Sequence, residues 1–130
     1  RLLSLRAQIV LVFDGPDKPG TKRLVRVSQR PHWMVAPTIC LAEAFNFTCH
    51  QAPGDAEAEL AYLASEGLVD AVLTADSDTL LFGAKVLLRS SRDKKKPDEV
   101  EVYRQDQLDR AGFSRGGLLL FALACGGDYD

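Results

Sequence analysis

The segment Ala7–Phe13 reads AQIVLVF, a continuous apolar and β-branched run that stops abruptly on Asp14-Gly15-Pro16. A run without polar alternation suits a strand covered on both faces, and such strands belong to sheets flanked by helices. Asp-Gly-Pro is turn chemistry, so the strand ends on an acid. Val69–Thr74 repeats the pattern, and Asp76 and Asp78 follow it. Between the two runs, Thr38–Phe45 carries apolar stripes at helical spacing. A second helix opens at Gly54-Asp55, with Ala56, Leu60, Leu63 and Ala64 on one apolar face and Gly67 as its stop. Lys85–Arg89 and Glu99–Tyr103 read as two more strands, joined by a polar loop as a hairpin or sheet edge. Gln105–Ala111 predicts a short helix. Arg115–Cys125 predicts a last one, capped by Ser114 and ended by Gly126-Gly127. Strands alternating with helices predict an α/β fold with a mostly parallel sheet. At 130 residues and 46% hydrophobic content, the chain has the size and composition of one globular domain.

The charges are unevenly placed. Arg1–Pro31 holds seven cations against Asp14 and Asp17, whereas the 53 residues from His32 to Ala84 hold eight acids and no Lys or Arg. Carboxylates set apart from cations either face water or hold metal ions. The net charge of −2 gives no global signature of a nucleic-acid binder. The three cysteines, Cys40, Cys49 and Cys125, lack zinc-site spacing and fit a reducing compartment. No membrane span is expected: the uncharged run Pro31–Ala42 is too short, and His, Trp, Pro and Thr interrupt it.

Ligands of open α/β sheets bind outside the carboxyl ends of the strands. Asp14, Asp76 and Asp78 fall at such ends. Asp55 and Glu57 start the second helix, reached through His50–Pro53, a segment that reads as a loop able to carry the helix start across the sheet. Asp128 follows the glycine pair. Each acid has a plain structural reading, as a turn residue or as a helix-start charge favoured by the dipole. Six acids at chain breaks together point instead to hard oxygen ligation of Mg²⁺ or Mn²⁺. Two such ions clamp a phosphodiester in a nuclease or phosphatase, one activating water and one receiving the leaving oxygen. A phosphoaspartate reading of ADSDTL fails, because Thr79 stands one place early and Leu80 fills the required position. No phosphate loop ending in GK[ST] is present, and no Ser/His/Asp arrangement is visible. His32 and His50 read as surface or structural residues.

VFDGPDKP (Val12–Pro19), APGDAEAELAYL (Ala52–Leu63), VDAVLTADSDTLLFGA (Val69–Ala84) and GGDYD (Gly126–Asp130) resemble, in order, the flap endonuclease/XPG family of structure-specific 5′ nucleases. Their wording is most like the fungal Holliday-junction resolvase branch. The resemblance implies a PIN-like, Rossmann-like α/β fold. It implies a two-metal nuclease acting on branched or flapped DNA in repair and recombination, with a nuclear location. By position it implies metal ligation by Asp14, Asp55, Glu57, Asp76, Asp78 and Asp128, with Asp55 standing where the family has Glu. Lys22 falls where the family places a phosphate-contacting lysine, making Lys22, Asp55, Glu57, Asp76 and Asp78 the expected catalytic set. Lys18, Arg23, Arg26 and Arg30 share its basic stretch and are expected to contact DNA, although a solvated basic loop is the plainer reading. Glu59 and Asp70 match no ligand position. Residues 1–130 thus look like a single nuclease core, without counterparts of the family's N-terminal segment, which bears a further metal-binding Asp, or of its helix–two-turn–helix. A non-catalytic remnant that binds DNA or protein is the alternative.

Overall fold

The computed structural model describes residues 2–18, 21–22, 25–26, 30–91, 93, 95–96 and 98–125. The chain divides into two compact units, Arg1–Ala56 and Glu57–Asp130.

In the first unit, β1 is Val10–Phe13, β2 is Thr21–Lys22, β3 is Val25–Arg26, α1 is Val35–Ala44 and β4 is Thr48–Gln51. β1 begins three residues later than its apolar run. β2 and β3 form a short antiparallel pair inside the basic stretch, with Thr21 opposite Arg26 and Lys22 opposite Val25. α1 starts before Pro37, three residues ahead of the Thr38 start that the apolar spacing predicts. Proline is tolerated there because first-turn N–H groups have no intrahelical acceptor. The helix ends on Asn46, at φ 62°, where the Asn46 N–H donates to Glu43 O at 2.8 Å and the Phe47 N–H to Ala42 O at 2.9 Å. That paired closure is a Schellman motif, with asparagine accepting the left-handed conformation. It turns the chain directly into β4.

β4 occupies part of the segment His50–Pro53, for which the sequence predicts a loop. His50 and Gln51 are strand residues, and β4 runs parallel to β1 with Val10 opposite Thr48 and Phe13 opposite Gln51. Parallel strands finish at the same edge. The ladder extends one step further, the Ala52 N–H donating to Phe13 O at 2.9 Å.

In the second unit, α2 (Ala56–Ser65, its first residue belonging to the first unit) is followed by β5 (Val72–Leu73), α3 (Asp78–Phe82), β6 (Val86–Ser90), β7 (Val100–Arg104), α4 (Gln105–Arg110) and α5 (Arg115–Cys125). The strands make one sheet in the order β5-β6-β7, parallel between β5 and β6 and antiparallel across the β6–β7 hairpin. Alanine-rich α2 has high helix propensity and lays Ala61 and Ala64 into a core with Val72, Leu80, Ala84 and Leu87. Small residues on that face let the helix approach the sheet closely. The α/β class is as expected, with small parallel and mixed sheets in place of one long parallel sheet. α5 starts at Arg115 as expected, and Ser114 caps it, its Oγ accepting from the Gly117 N–H at 3.2 Å; Gly126 and Gly127, the expected stop, lie outside the described residues.

Candidate active site

The turn after β1 is fitted against the turn after β4. The Gly15 N–H donates to Gly54 O at 2.6 Å and the Asp17 N–H to Pro53 O at 3.0 Å. Gly15 is buried, and a Cβ there would run into the carbonyl oxygens of Ala52 and Pro53. Only glycine allows the two backbones to come this close. The reward is local: Asp14 and Asp55, which flank these turns, are brought together.

Asp14 is bound at both oxygens. Oδ1 accepts from the Ala56 N–H at 3.0 Å, satisfying one of the orphan donors at the start of α2. Oδ2 lies 3.8 Å from Lys18 Nζ, and the Lys18 side chain is 15% exposed. The basic stretch therefore sends its first lysine back onto an acid, a contact the sequence reading did not foresee. Asp14, Asp55 and Glu57 each present a carboxylate oxygen, and the three oxygens lie within 4.8 Å of one another. Two like charges about 4 Å apart repel by roughly 1 kcal/mol in water and about 4 kcal/mol near a protein surface. A hard divalent cation reverses that cost. All-carboxylate donors with no sulfur or imidazole suit Mg²⁺ or Mn²⁺.

In the second unit, Asp76 sits in the turn that leads from β5 into α3, and Asp78 is the first residue of α3. The Asp78 N–H donates to Asp76 Oδ1 at 2.9 Å, the Asp76 N–H to Thr74 Oγ1 at 3.1 Å, and the Thr79 hydroxyl to Asp76 O at 3.1 Å. Thr79 is fully buried. Thr74 and Thr79 are thus the residues that hold this acidic pair. The sequence offered a signal for them in the two threonines that bracket TADSDT, which periodicity alone does not weigh.

The remaining expected site residues divide by what the structure describes. Lys22 and Arg26 lie on the backbones of β2 and β3, and Arg30 is exposed. Arg23 and Asp128 lie outside the described residues. No described helix is long and apolar enough to cross a membrane.

The XPG I-region family matches residues 46–128. Flap endonuclease GEN-like 1 of Arabidopsis thaliana is 35% identical over 97 residues, covering 74% of this chain and 16% of its own length. Flap endonuclease GEN homolog 1 of Homo sapiens is 35% identical over 103 residues, covering 77% of this chain and 11% of its own. Among solved structures, the Holliday junction-resolving enzyme GEN1 in complex with product DNA, Mg²⁺ and Mn²⁺ superposes with a TM-score of 0.78 at 43% identity, over 97% of this chain and 30% of that one. The catalytic core of Rad2 with DNA substrate gives a TM-score of 0.81 at 29% identity, over 98% of this chain and 43% of that one. The chain therefore spans well under half the length of these relatives.

Proposed function

This chain belongs to the XPG I-region family, and from that membership we propose that it is the core of a divalent-metal-dependent, structure-specific DNA endonuclease of repair and recombination, acting on 5′ flaps or four-way junctions. The observation that carries this reading is the gathering of Asp14, from the end of β1, with Asp55 and Glu57, from the start of α2, their carboxylate oxygens within 4.8 Å of one another. The GEN1 structure with product DNA, Mg²⁺ and Mn²⁺ supports the choice of metal and of substrate class.

In this reading Asp14, Asp55, Glu57, Asp76, Asp78 and Asp128 hold Mg²⁺ or Mn²⁺, as two ions. Such ions supply an activated water and charge stabilisation on a phosphodiester. The chain's own part is positioning. Asp14 aims its carboxylate by accepting from Ala56, and Asp76 fixes Asp78 by accepting its N–H. Asp55, a methylene shorter than Glu, keeps the charge and sits where the β4 turn delivers it. Lys22 contacts a substrate phosphate, and Lys18, Arg23, Arg26 and Arg30 track the DNA backbone, a sequence-independent attraction that weakens with salt. Lys18 reaches a phosphate only by opening its pair with Asp14. In a eukaryotic cell the location is nuclear.

The test is incision of 5′-flap and four-way-junction DNA in Mg²⁺. It is run on this chain and on a chimera in which residues 1–130 replace their counterpart in a GEN1 relative. Mg²⁺-dependent incision that disappears in Asp76→Ala and Asp78→Ala, with binding retained, supports the reading. A chimera that binds junctions yet never cuts them in Mg²⁺ or Mn²⁺ replaces it with a non-catalytic DNA-binding module.

A further inference from the structure

α3 is five residues long, Asp78–Phe82, and so spans roughly 7.5 Å. A helix this short does not hold its shape in water by itself, because its few internal bonds do not repay the cost of nucleation. It depends on what fastens its two ends. At the first, the Asp78 N–H meets Asp76 Oδ1, and the hydroxyl of buried Thr79 meets Asp76 O. At the other, Gly83 takes the left-handed conformation at φ 108°. The Gly83 N–H donates to Leu80 O at 3.1 Å and the Ala84 N–H to Thr79 O at 2.9 Å. That Schellman closure engages Thr79 O and Leu80 O. The next two carbonyls are reached from a distant part of the chain: Arg115 Nε donates to Leu81 O at 2.9 Å, and Arg115 Nη2 to Phe82 O at 3.2 Å.

Arg115 is the first residue of α5, a helix that buries none of its residues fully. Among the described elements its main contact is α3. The guanidinium lies against Gly83, where a Cβ would stand 3.4 Å from its central carbon. A planar fork of donors can grip two neighbouring carbonyls at once, which a lysine ammonium on its flexible stem cannot do in a fixed geometry. The arginine is exposed, and hydrogen bonds open to water add only modestly to global stability. The effect of the clamp is local, on the orientation of α3.

We propose that Arg115 is a positioning residue for Asp78: by holding the last two carbonyls of α3 it fixes the short helix whose first residue is that acid. The proposal rests on the nuclease reading, in which Asp78 holds metal, and deepens it by naming a residue that acts on the site from the opposite end of α3. Released at that end, α3 can tilt about the Asp76 turn. Misplacing a reacting group by about 1 Å can cost on the order of 100-fold in rate. Phosphate contact and plain support of the fold are the two rival roles for this arginine, and each predicts a different outcome.

Mn²⁺ binding to the chain is titrated by electron paramagnetic resonance. Incision of a 5′ flap by the chimera gives kcat, KM and the Mg²⁺ concentration for half-maximal rate. Arg115→Ala should weaken Mn²⁺ binding about tenfold, the lower end of the range for residues that orient metal ligands, and raise the half-maximal Mg²⁺ to match. At fixed Mg²⁺, kcat should fall while KM for DNA and the melting midpoint in EDTA stay near those of the parent. Arg115→Lys, which keeps the charge and loses the fork, should behave like Arg115→Ala. Added guanidinium ion should restore Arg115→Ala, and ammonium ion should not. Full recovery in Arg115→Lys overturns the proposal, since charge alone then suffices. A raised KM with kcat unchanged also overturns it, making Arg115 a phosphate contact. So does parent-like Mn²⁺ affinity, which leaves only support of the fold. Should Arg115→Ala fail to fold, Arg115→Lys decides through the same Mn²⁺ and kcat readouts. The two readings fail separately. A parent that binds no Mn²⁺ and cuts nothing removes the nuclease, and this role with it. A parent that binds and cuts, with Arg115 variants equal to it, removes this role alone.

Discussion

Asp14 Oδ1 accepts a hydrogen bond from the backbone N–H of Ala56, 3.0 Å away and 42 residues later in the chain. One carboxylate thereby closes the start of a helix and belongs to the acidic cluster. The two roles separate by mutation. Asp14→Ala removes both and should cost about 0.5–2 kcal/mol of stability, the usual loss of a helix cap. Asp14→Asn keeps an acceptor oxygen and should remain within a few tenths of a kcal/mol of the parent, a gap comparable to a conservative cap exchange. Urea unfolding of the two variants measures the difference; equal losses would show that the hydrogen bond carries no stability.

Mg²⁺ binding to the folded chain should raise its melting temperature by mass action. A free concentration one hundred times Kd is worth about 2.7 kcal/mol. Thermal melts with millimolar Mg²⁺ against EDTA check this. Asp55→Ala and Glu57→Ala should each abolish most of the shift without lowering the EDTA midpoint comparably, because removing one of several crowded carboxylates relieves repulsion. A midpoint indifferent to metal and chelator would count against the site.

Gly15→Ala should cost at least about 1–3 kcal/mol, the range for forced overpacking. The obstructing atoms are the main-chain oxygens of Ala52 and Pro53, which cannot swing aside as a side chain would. Unfolding free energy and the Mg²⁺-induced shift should fall together, since the two turns that carry Asp14 and Asp55 are pushed apart. A variant with lowered stability but an intact metal response would disconnect this packing from the cluster.

For the second acidic pair, Thr79→Val removes the hydroxyl that donates to Asp76 O while keeping the side chain's volume. The carbonyl then lacks that partner, at a cost of about 1–3 kcal/mol if it stays dry. Incision by the chimera should drop even though no acid has changed. Thr79→Ser, which restores the hydroxyl, should recover much of it. Rescue of activity by Ser separates positioning from simple loss of packing.

The sequence made β1 and the acids at the strand ends legible, because a continuous β-branched run and turn dipeptides leave local signals; the stretch Val69–Thr74, expected as a second buried strand, yields only the two-residue β5, with Leu73 exposed, because Asp70 interrupts its apolar run. The start of helix α5 was legible from Ser114, whose side chain caps it. β4 was not. Its residues Thr48-Cys49-His50-Gln51 have neither apolar alternation nor a β-branched run, and they become a strand only because β1 offers a partner. That omission hid how Asp55 reaches the edge occupied by Asp14. α3 was missed because five residues are too few to display a helical period. The inward turn of Lys18 onto Asp14 was missed because a basic stretch read one-dimensionally looks uniformly solvated.

The parallel alignment of β1 with β4 has a consequence for how such a chain can diversify. Phe13 stands opposite Gln51, so the separation of the carboxylates just beyond them is set by a ladder and not by the length of chain between. Whatever joins the two strands can gain or lose residues at little cost, since loop closure depends only weakly on length. One residue inserted between Gln51 and Asp55 would instead shift an acid off its station. The spacing of the acids is thus gauged by the ladder, whereas the connection between the two strands is not what sets it.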